Sequence, residues 1–264
     1  MKLPALITLL TLMLTGLALA DPAPAPVIVA HRGASADAPE NSLAAFREAW
    51  KQGADAIEGD FHLTVDGHIV CFHDFDTKKM AGTKHVVAES TAESLRALEI
   101  PGGPMPSFAD VVATVPEDGT FYIEIKCGPE ILDTLFDKLD ATTLRPDQIV
   151  IISFNQDVIA AVKERRPQYV ANWLRSLKSH KVTRQITPSL DSLLPVLKEI
   201  GADGLSTSAH GKVDAQWVER LRAEGFDYHV WTVDDPAEAR RFAELGASSI
   251  TTNRPAAIRE ALNE

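Results

Sequence analysis

The residues most able to do chemistry are acids and imidazoles at the ends of short apolar runs. Glu58 and Asp60, in Ala56-Ile57-Glu58-Gly59-Asp60, stand two apart. In a strand that spacing puts both carboxylates on one face. Carboxylates facing one low-dielectric space repel unless a cation or a shared proton relieves them. Ile57 and Phe61 would pack the opposite face on helices. In Phe121-Tyr122-Ile123-Glu124-Ile125-Lys126 an acid and a base again share a face. An internal salt bridge is one reading of that pair. In the other, Glu124 lies beside the Glu58/Asp60 strand and completes three oxygen donors, a set that fits a hard cation, Mg2+ or Ca2+, better than zinc. His31-Arg32-Gly33 and Cys71-Phe72-His73-Asp74 each bring an imidazole. Two histidines flanking a hard cation suit in-line phosphoryl chemistry, one taking a proton from the attacking oxygen and the other protonating the leaving oxygen. Arg32 and Lys126 would neutralise the equatorial oxygens.

These groups need a scaffold that brings distant strand ends together. Short β-rich runs alternate with amphipathic stretches along the chain. The apolar runs are 27–30, 56–61, 121–125, 149–154, 169–174, 202–206, 228–233 and 248–252, with helical patterns such as 42–51, 129–139, 156–165, 190–200, 215–223 and 236–245 between them. Such alternation implies βαβ units and a parallel sheet. The run 68–73 follows its predecessor after only Thr64-Val65-Asp66-Gly67, too short for a parallel crossover, and Asp-Gly is a hairpin signal. It is expected to return antiparallel and deliver His73 to the mouth. Eight parallel candidates remain, the number that closes a (β/α)8 TIM barrel, whose catalytic face is the C-terminal end of its strands. Residues 75–106 interrupt the alternation and read as an excursion over that mouth. Trp231, near the end of the seventh parallel run, could be core or a wall of the pocket.

With 264 residues and 45% of them hydrophobic, one barrel accounts for the chain. A formal charge of -11 argues against a nucleic-acid partner held by phosphate neutralisation. Lys2, the apolar run 6–19 and Ala18-Leu19-Ala20 form a signal-peptide pattern over residues 1–20, too short for a membrane span. The expectation is an exported chain, periplasmic or secreted, starting at Asp21, with no stable membrane anchor after cleavage. Cys71 and Cys127 are the only cysteines, and strand alternation points them to different layers, so both are expected unpaired.

His31-Arg32-Gly33, Pro39-Glu40-Asn41-Ser42, the run 53–60, Thr64-Val65-Asp66-Gly67, His73-Asp74, Glu124-Ile125-Lys126, Trp231-Thr232-Val233 and Thr252-Asn253-Arg254-Pro255 together resemble the glycerophosphodiester phosphodiesterase family over essentially the whole mature chain, 21–264. The resemblance implies a barrel hydrolase that releases an alcohol and sn-glycerol 3-phosphate from a small-molecule glycerophosphodiester with the help of one divalent cation, Mg2+ or Ca2+. By position it implies His31 and His73 as the acid/base pair and Glu58, Asp60 and Glu124 as metal ligands. Arg32 and Lys126 would contact phosphate, and Trp231 would wall the substrate pocket. Three residues depart from the family pattern. Gly59 replaces an apolar residue, which implies looser packing behind the metal strand. Asn253 and Ser42 replace an acid and a threonine, and neither is expected to touch the acid, base or metal set. A phospholipase acting on lysolipid or intact lipid is an alternative, with Phe72, Phe75 and Met80 as its hint of apolar rim. A non-catalytic phosphoester-binding protein is a further one, though no histidine or carboxylate is missing.

Overall fold

A computed structural model describes residues 25–263; the expected signal peptide lies outside them. The elements in chain order are β1 (Val27–His31), α1 (Leu43–Lys51), β2 (Ala56–Leu63), β3 (Ile69–Cys71), α2 (Lys78–Ala81), α3 (Ala92–Arg96), α4 (Phe108–Val112), β4 (Thr120–Ile125), α5 (Leu132–Asp140), β5 (Ile149–Ser153) and α6 (Gln156–Arg165). They continue with β6 (Val170–Arg175), β7 (Lys178–Ser179), β8 (Ile186–Thr187), α7 (Leu190–Glu199), β9 (Gly204–Ser208), α8 (Ala215–Ala223), β10 (Asp227–Trp231), α9 (Pro236–Glu244), β11 (Ser249–Thr252) and α10 (Pro255–Asn263). Parallel pairing runs β1–β11–β10–β9–β6–β5–β4–β2, and β2 pairs back onto β1, so eight strands close a TIM barrel. β3 lies antiparallel on the far end of β2, with Phe61 opposite Cys71 and Leu63 opposite Ile69. The tight turn between them needs Gly67 at φ +75 and is braced by Thr64, whose hydroxyl donates to Asp66 and accepts from the His68 amide.

Alternation along the strands sorts side chains into two layers. The outer one, between barrel and helices, holds Phe46, Ile57, Phe61, Phe108 and Phe121, with Phe61 edge-on to Phe108 and Phe121 at 5.4 and 5.7 Å. The luminal one carries Val29, Ala56, Tyr122, Val150, Ile152 and Leu174. Gly59, which faces the outer layer, does not leave packing loose there. A Cβ built on it would meet Phe46 at 3.2 Å, Phe61 at 3.3 Å and Cys71 Sγ at 3.4 Å, so those larger neighbours already fill the space. Both cysteines are free, as expected, but alternation does not send them to different layers: Cys71 is buried in the outer layer and half-buried Cys127 packs against that same layer.

The excursion from 75 to 106 carries α2, α3 and its own small core, in which Val87, Leu95 and Met105 pack on Val70 and Phe72 of the hairpin arm. That contact anchors the arm that ends in His73. Periodicity missed α2 and α4 because four or five residues show no repeat, and α4 is instead marked by its Ser107/Asp110 capping box. The β7–β8 hairpin, two residues per strand, carries no alternation to read.

The barrel floor is partly polar. His229 is buried and its Nδ1 meets Ser249 Oγ at 2.8 Å, while burial lowers its pKa to about 4; burial does the same for His62. An unfolded histidine takes its proton at higher pH, so the unfolded chain binds more protons between about pH 6.5 and 4. The stability these rings contribute is complete above that window and is lost as pH falls through it. Chemical unfolding of wild type and His229→Asn at pH 7 and pH 5 tests this. Wild type is expected to lose about 2 kcal/mol more than the variant over that interval; equal losses would show that His229 is not held neutral.

Candidate active site

The three acids converge because β2 and β4 pair in a register that sets Asp60 beside Glu124. Glu58, Asp60 and Glu124 are all buried, and ligand-capable oxygens of the three lie within 4.8 Å of one another. Glu58 Oε1 has no hydrogen-bond partner, and Asp60 Oδ1 has only an ion-pair contact. Two cations offset the repulsion. Lys126 Nζ sits 2.7 Å from Glu124 Oε1 and 3.2 Å from Asp60 Oδ1. Arg32 Nε sits 3.2 Å from Asp60 Oδ2, and its Nη1 donates to Glu40 Oε1 at 3.0 Å. Lys126 therefore does make the internal salt bridge that its spacing allowed, and extends it to a second acid.

Proton affinities divide accordingly. Glu58 is pushed well up by burial and then by Asp60 and Glu124. Burial and Asp60 raise Glu124 to about 7. Burial opposes ionisation of Asp60 too, but Lys126 and Arg32 outweigh it and hold this carboxyl below its usual range. The cluster thus carries an ionised centre, Asp60, with protons drawn to its neighbours.

Asn41 holds Asp60 in place. Its Nδ2 donates to Asp60 Oδ2 at 2.8 Å, and its Oδ1 accepts from the Asp60 amide at 3.2 Å and from Cys71 Sγ at 3.2 Å. It reaches there from a left-handed backbone at φ 55, a conformation asparagine tolerates better than most residues. Arg32 is also left-handed, at φ 56, and its amide donates to Glu58 Oε2 at 2.9 Å. The next residue must be glycine. Gly33 has φ +80, and a Cβ there would lie 2.5 Å from the carbonyl carbon of Ala45, where α1 crosses the loop. Ser42 caps α1 by accepting from the Ala45 amide and, as expected, stays outside the acid, base and metal set.

Each imidazole has a different partner. His73 Nδ1 meets the carboxylate of its neighbour Asp74 at 2.7 Å. His31 Nδ1 meets Asn253 Oδ1 at 2.7 Å, which corrects the expectation that Asn253 lies apart from the catalytic groups. The local chain explains the contact: β11 ends beside β1, with Thr252 opposite Ala30, so the next residue overlies His31. Asp234 locks the amide, accepting from Asn253 Nδ2 at 2.6 Å and from its backbone N at 2.7 Å. Asn253 Oδ1 therefore faces His31 as an acceptor and also takes the Ser35 hydroxyl proton at 2.7 Å. His31 must donate from Nδ1, which leaves Nε2 as the basic nitrogen. Burial, reinforced by Arg32, lowers the His31 pKa and keeps this ring neutral.

His31, Arg32, Glu58, His73, Glu124 and Lys126 line one side of a single mouth cavity. Ile152, Phe154, Leu174 and Trp231 line the other. Trp231 stands edge-on to Phe154 at 5.5 Å, with its Nε1 donating to the Ser206 carbonyl. Every site residue named from the sequence is thus at this mouth, with Asp60 just behind the cavity wall. Asn41 and Asn253 lay inside quoted motifs, but no local spacing shows which distant group an amide will reach; Asp234 carried no signal.

Parallel strands closing a barrel, with acids, imidazoles and cations gathered at their C-terminal ends, define a barrel enzyme suited to a phosphate-bearing substrate. Residues 31–257 match the model of the glycerophosphoryl diester phosphodiesterase family, so the chain belongs to that family. It is 26% identical over 251 residues to a glycerophosphodiester phosphodiesterase of Caldanaerobacter subterraneus, covering 87% of this chain and 94% of that one. It is 28% identical over 260 residues to a probable glycerophosphodiester phosphodiesterase 1 of Mycobacterium tuberculosis, covering 87% and 90%. In fold it is similar to an Oleispira antarctica phosphodiesterase solved with the product sn-glycerol-3-phosphate, with TM-score 0.79, 22% identity and coverage of 91% and 98%.

The Asn253 contact makes a direct prediction. Asn253→Ala should lower kcat/KM by about 10- to 100-fold, mostly in kcat, because it frees the His31 ring without removing a substrate contact. Nitrogen NMR of His31 should show the Nδ1–H tautomer replaced by a mixture. A variant with unchanged kcat and an unchanged tautomer would remove Asn253 from the account.

Proposed function

We propose that the chain hydrolyses glycerophosphodiesters to sn-glycerol 3-phosphate and an alcohol, with His31 as general base, His73 as general acid and a divalent cation held by Glu58, Asp60 and Glu124. The observation that carries this reading is the meeting of both imidazoles, the acids, Arg32 and Lys126 in one cavity. The unpartnered Glu58 oxygen and the hard-oxygen donor set fit Mg2+ or Ca2+. Such an ion, when bound, neutralises charge on the phosphoryl oxygens.

His31, neutral and with Nε2 free, is set to accept a proton from the attacking oxygen, whether of water or of a substrate hydroxyl. His73, its ring oriented by the contact of Nδ1 with Asp74 Oδ1, is the group that passes a proton to the leaving alcohol. Arg32 and Lys126 contribute fixed positive charge beside the phosphate. The apolar wall of Ile152, Phe154, Leu174 and Trp231 takes the carbon skeleton of the ester. Of the apolar rim expected for a lipid substrate, Phe72 is buried and Met80 packs on the core of the excursion; Phe75 stays exposed and lies with exposed Phe154 beside Glu124 and Lys126, which keeps lysophospholipid as a second substrate class. The signal pattern over residues 1–20 supports export, which recovery of a mature chain starting at Asp21 from the periplasm or medium would test.

Turnover of glycerophosphocholine and of a lysophospholipid, with Mg2+, Ca2+ or EDTA, tests the reaction. Release of sn-glycerol 3-phosphate is expected with either cation and should be abolished by EDTA. His31→Ala and His73→Ala should each cost about 100-fold or more in kcat. Activity on lipid alone would replace the proposed substrate, and full activity in EDTA would remove the cation.

A further inference from the structure

The fold carries a local positive surface that the chemistry does not use. Between Glu164 and Asp191 the chain has no acidic residue, and residues 204–213 have none either, in a protein of formal charge -11. The first segment contains the β7–β8 hairpin, on which Lys178, Lys181 and Arg184 are exposed. Lys212, exposed on the loop after β9, lies against it and donates to the Arg184 carbonyl. Among the described residues none of these four cations has an ion-pair partner. At the tip, between Lys181 and Arg184, Val182 is 84% exposed.

The hairpin is built rather than slack. The His180 amide donates to the Gln185 carbonyl at 2.7 Å, and His180 Nδ1 accepts from the amides of Val182 and Thr183. Its base is tied to β9 and the loop beyond, through the Leu177 amide to Ser208 Oγ at 2.8 Å and Ser179 Oγ to His210 Nε2 at 3.1 Å. It springs from the C-terminal end of β6, a few residues beyond Leu174 of the apolar cavity wall. The cations therefore stand on the rim of the catalytic mouth, on the side away from the carboxylates of β2 and β4.

We propose that this hairpin docks the mouth on an anionic phospholipid surface, with Lys178, Lys181, Arg184 and Lys212 on lipid phosphates and Val182 at the acyl boundary. An apolar tip among cations suits a bilayer interface and gains nothing from a nucleic-acid backbone. Phe75 and Phe154 are exposed around the same mouth and extend the apolar contact. The overall negative charge does not prevent docking, because screening over about 8 Å at physiological salt makes the local patch decisive. The inference rests on the proposed glycerophospho-substrate reading for its choice of lipid, since such a surface would present the same headgroup chemistry to the cavity.

The test is co-sedimentation of the full chain with phosphatidylcholine vesicles, with and without phosphatidylglycerol, at low and high salt, beside turnover of soluble glycerophosphocholine. Binding should require phosphatidylglycerol and weaken with salt. Each cation at such a surface is worth about fivefold in partition, so K178E/K181E/R184E should reduce binding by about 100-fold or more while soluble turnover stays at wild-type level. Comparison with neutral vesicles removes any contribution from the apolar N-terminal run. Equal binding by wild type and variant, no binding to phosphatidylglycerol at low salt, or charge-dependent binding to duplex DNA without vesicle binding would each overturn the proposal. Charge-dependent vesicle binding by a chain inactive on glycerophosphodiesters would leave the docking surface standing and overturn the substrate reading.

Discussion

Three carboxylates facing each other inside a barrel mouth set the terms for everything around them. At the spacing of Glu58, Asp60 and Glu124, each pair of full charges would repel by about 3 kcal/mol even at a generous protein dielectric. Arg32 and Lys126 reduce this cost by flanking Asp60 from opposite sides, and the remaining acids answer by drawing protons. The divalent cation proposed for this cluster would replace those protons with a stronger and better directed charge. Much of the local architecture follows from this one constraint, including the left-handed Arg32 and Asn41 and the glycine that lets α1 cross above them.

The barrel meets the constraint through register. Parallel pairing puts Glu58 beside His31 and, two residues further along β2, Asp60 beside Glu124, so two successive levels of the sheet bring one imidazole and three acids together from separate strands. The outward faces of the same strands bury Ile57, Phe61 and Phe121 under the helices, which makes a slip of register costly and fixes the inward groups. The hairpin arm solves a separate problem. The second imidazole comes by another route: β3 folds back over β2 and the excursion packs against it, which brings His73 to the mouth.

Much of this was legible in the sequence because two periodicities carry it. Alternation showed that Glu58 and Asp60 share a face, and the short link at Asp66-Gly67 showed that β3 must return antiparallel. Closure by eight parallel strands followed from counting those runs. What stayed hidden depends on long-range contact. The hold of Asn253 on His31 spans 222 positions and exists only because β11 closes beside β1, so a change from acid to amide could not be weighed by spacing. Gly59 misled for a related reason: missing volume at one position was supplied by Phe46 from another element. The β7–β8 hairpin, with two residues per strand, offers no pattern at all.

The measurement that bears most directly on the buried carboxylates is calorimetric titration of the metal-free chain with Mg2+ or Ca2+ near pH 6, in buffers of different ionisation enthalpy. If protons shared among Glu58 and Glu124 stand in for the cation, binding must release about one proton or more per ion, and the release must shrink as the pH is raised. Binding with no proton release at pH 6, or no binding at all, would contradict the account.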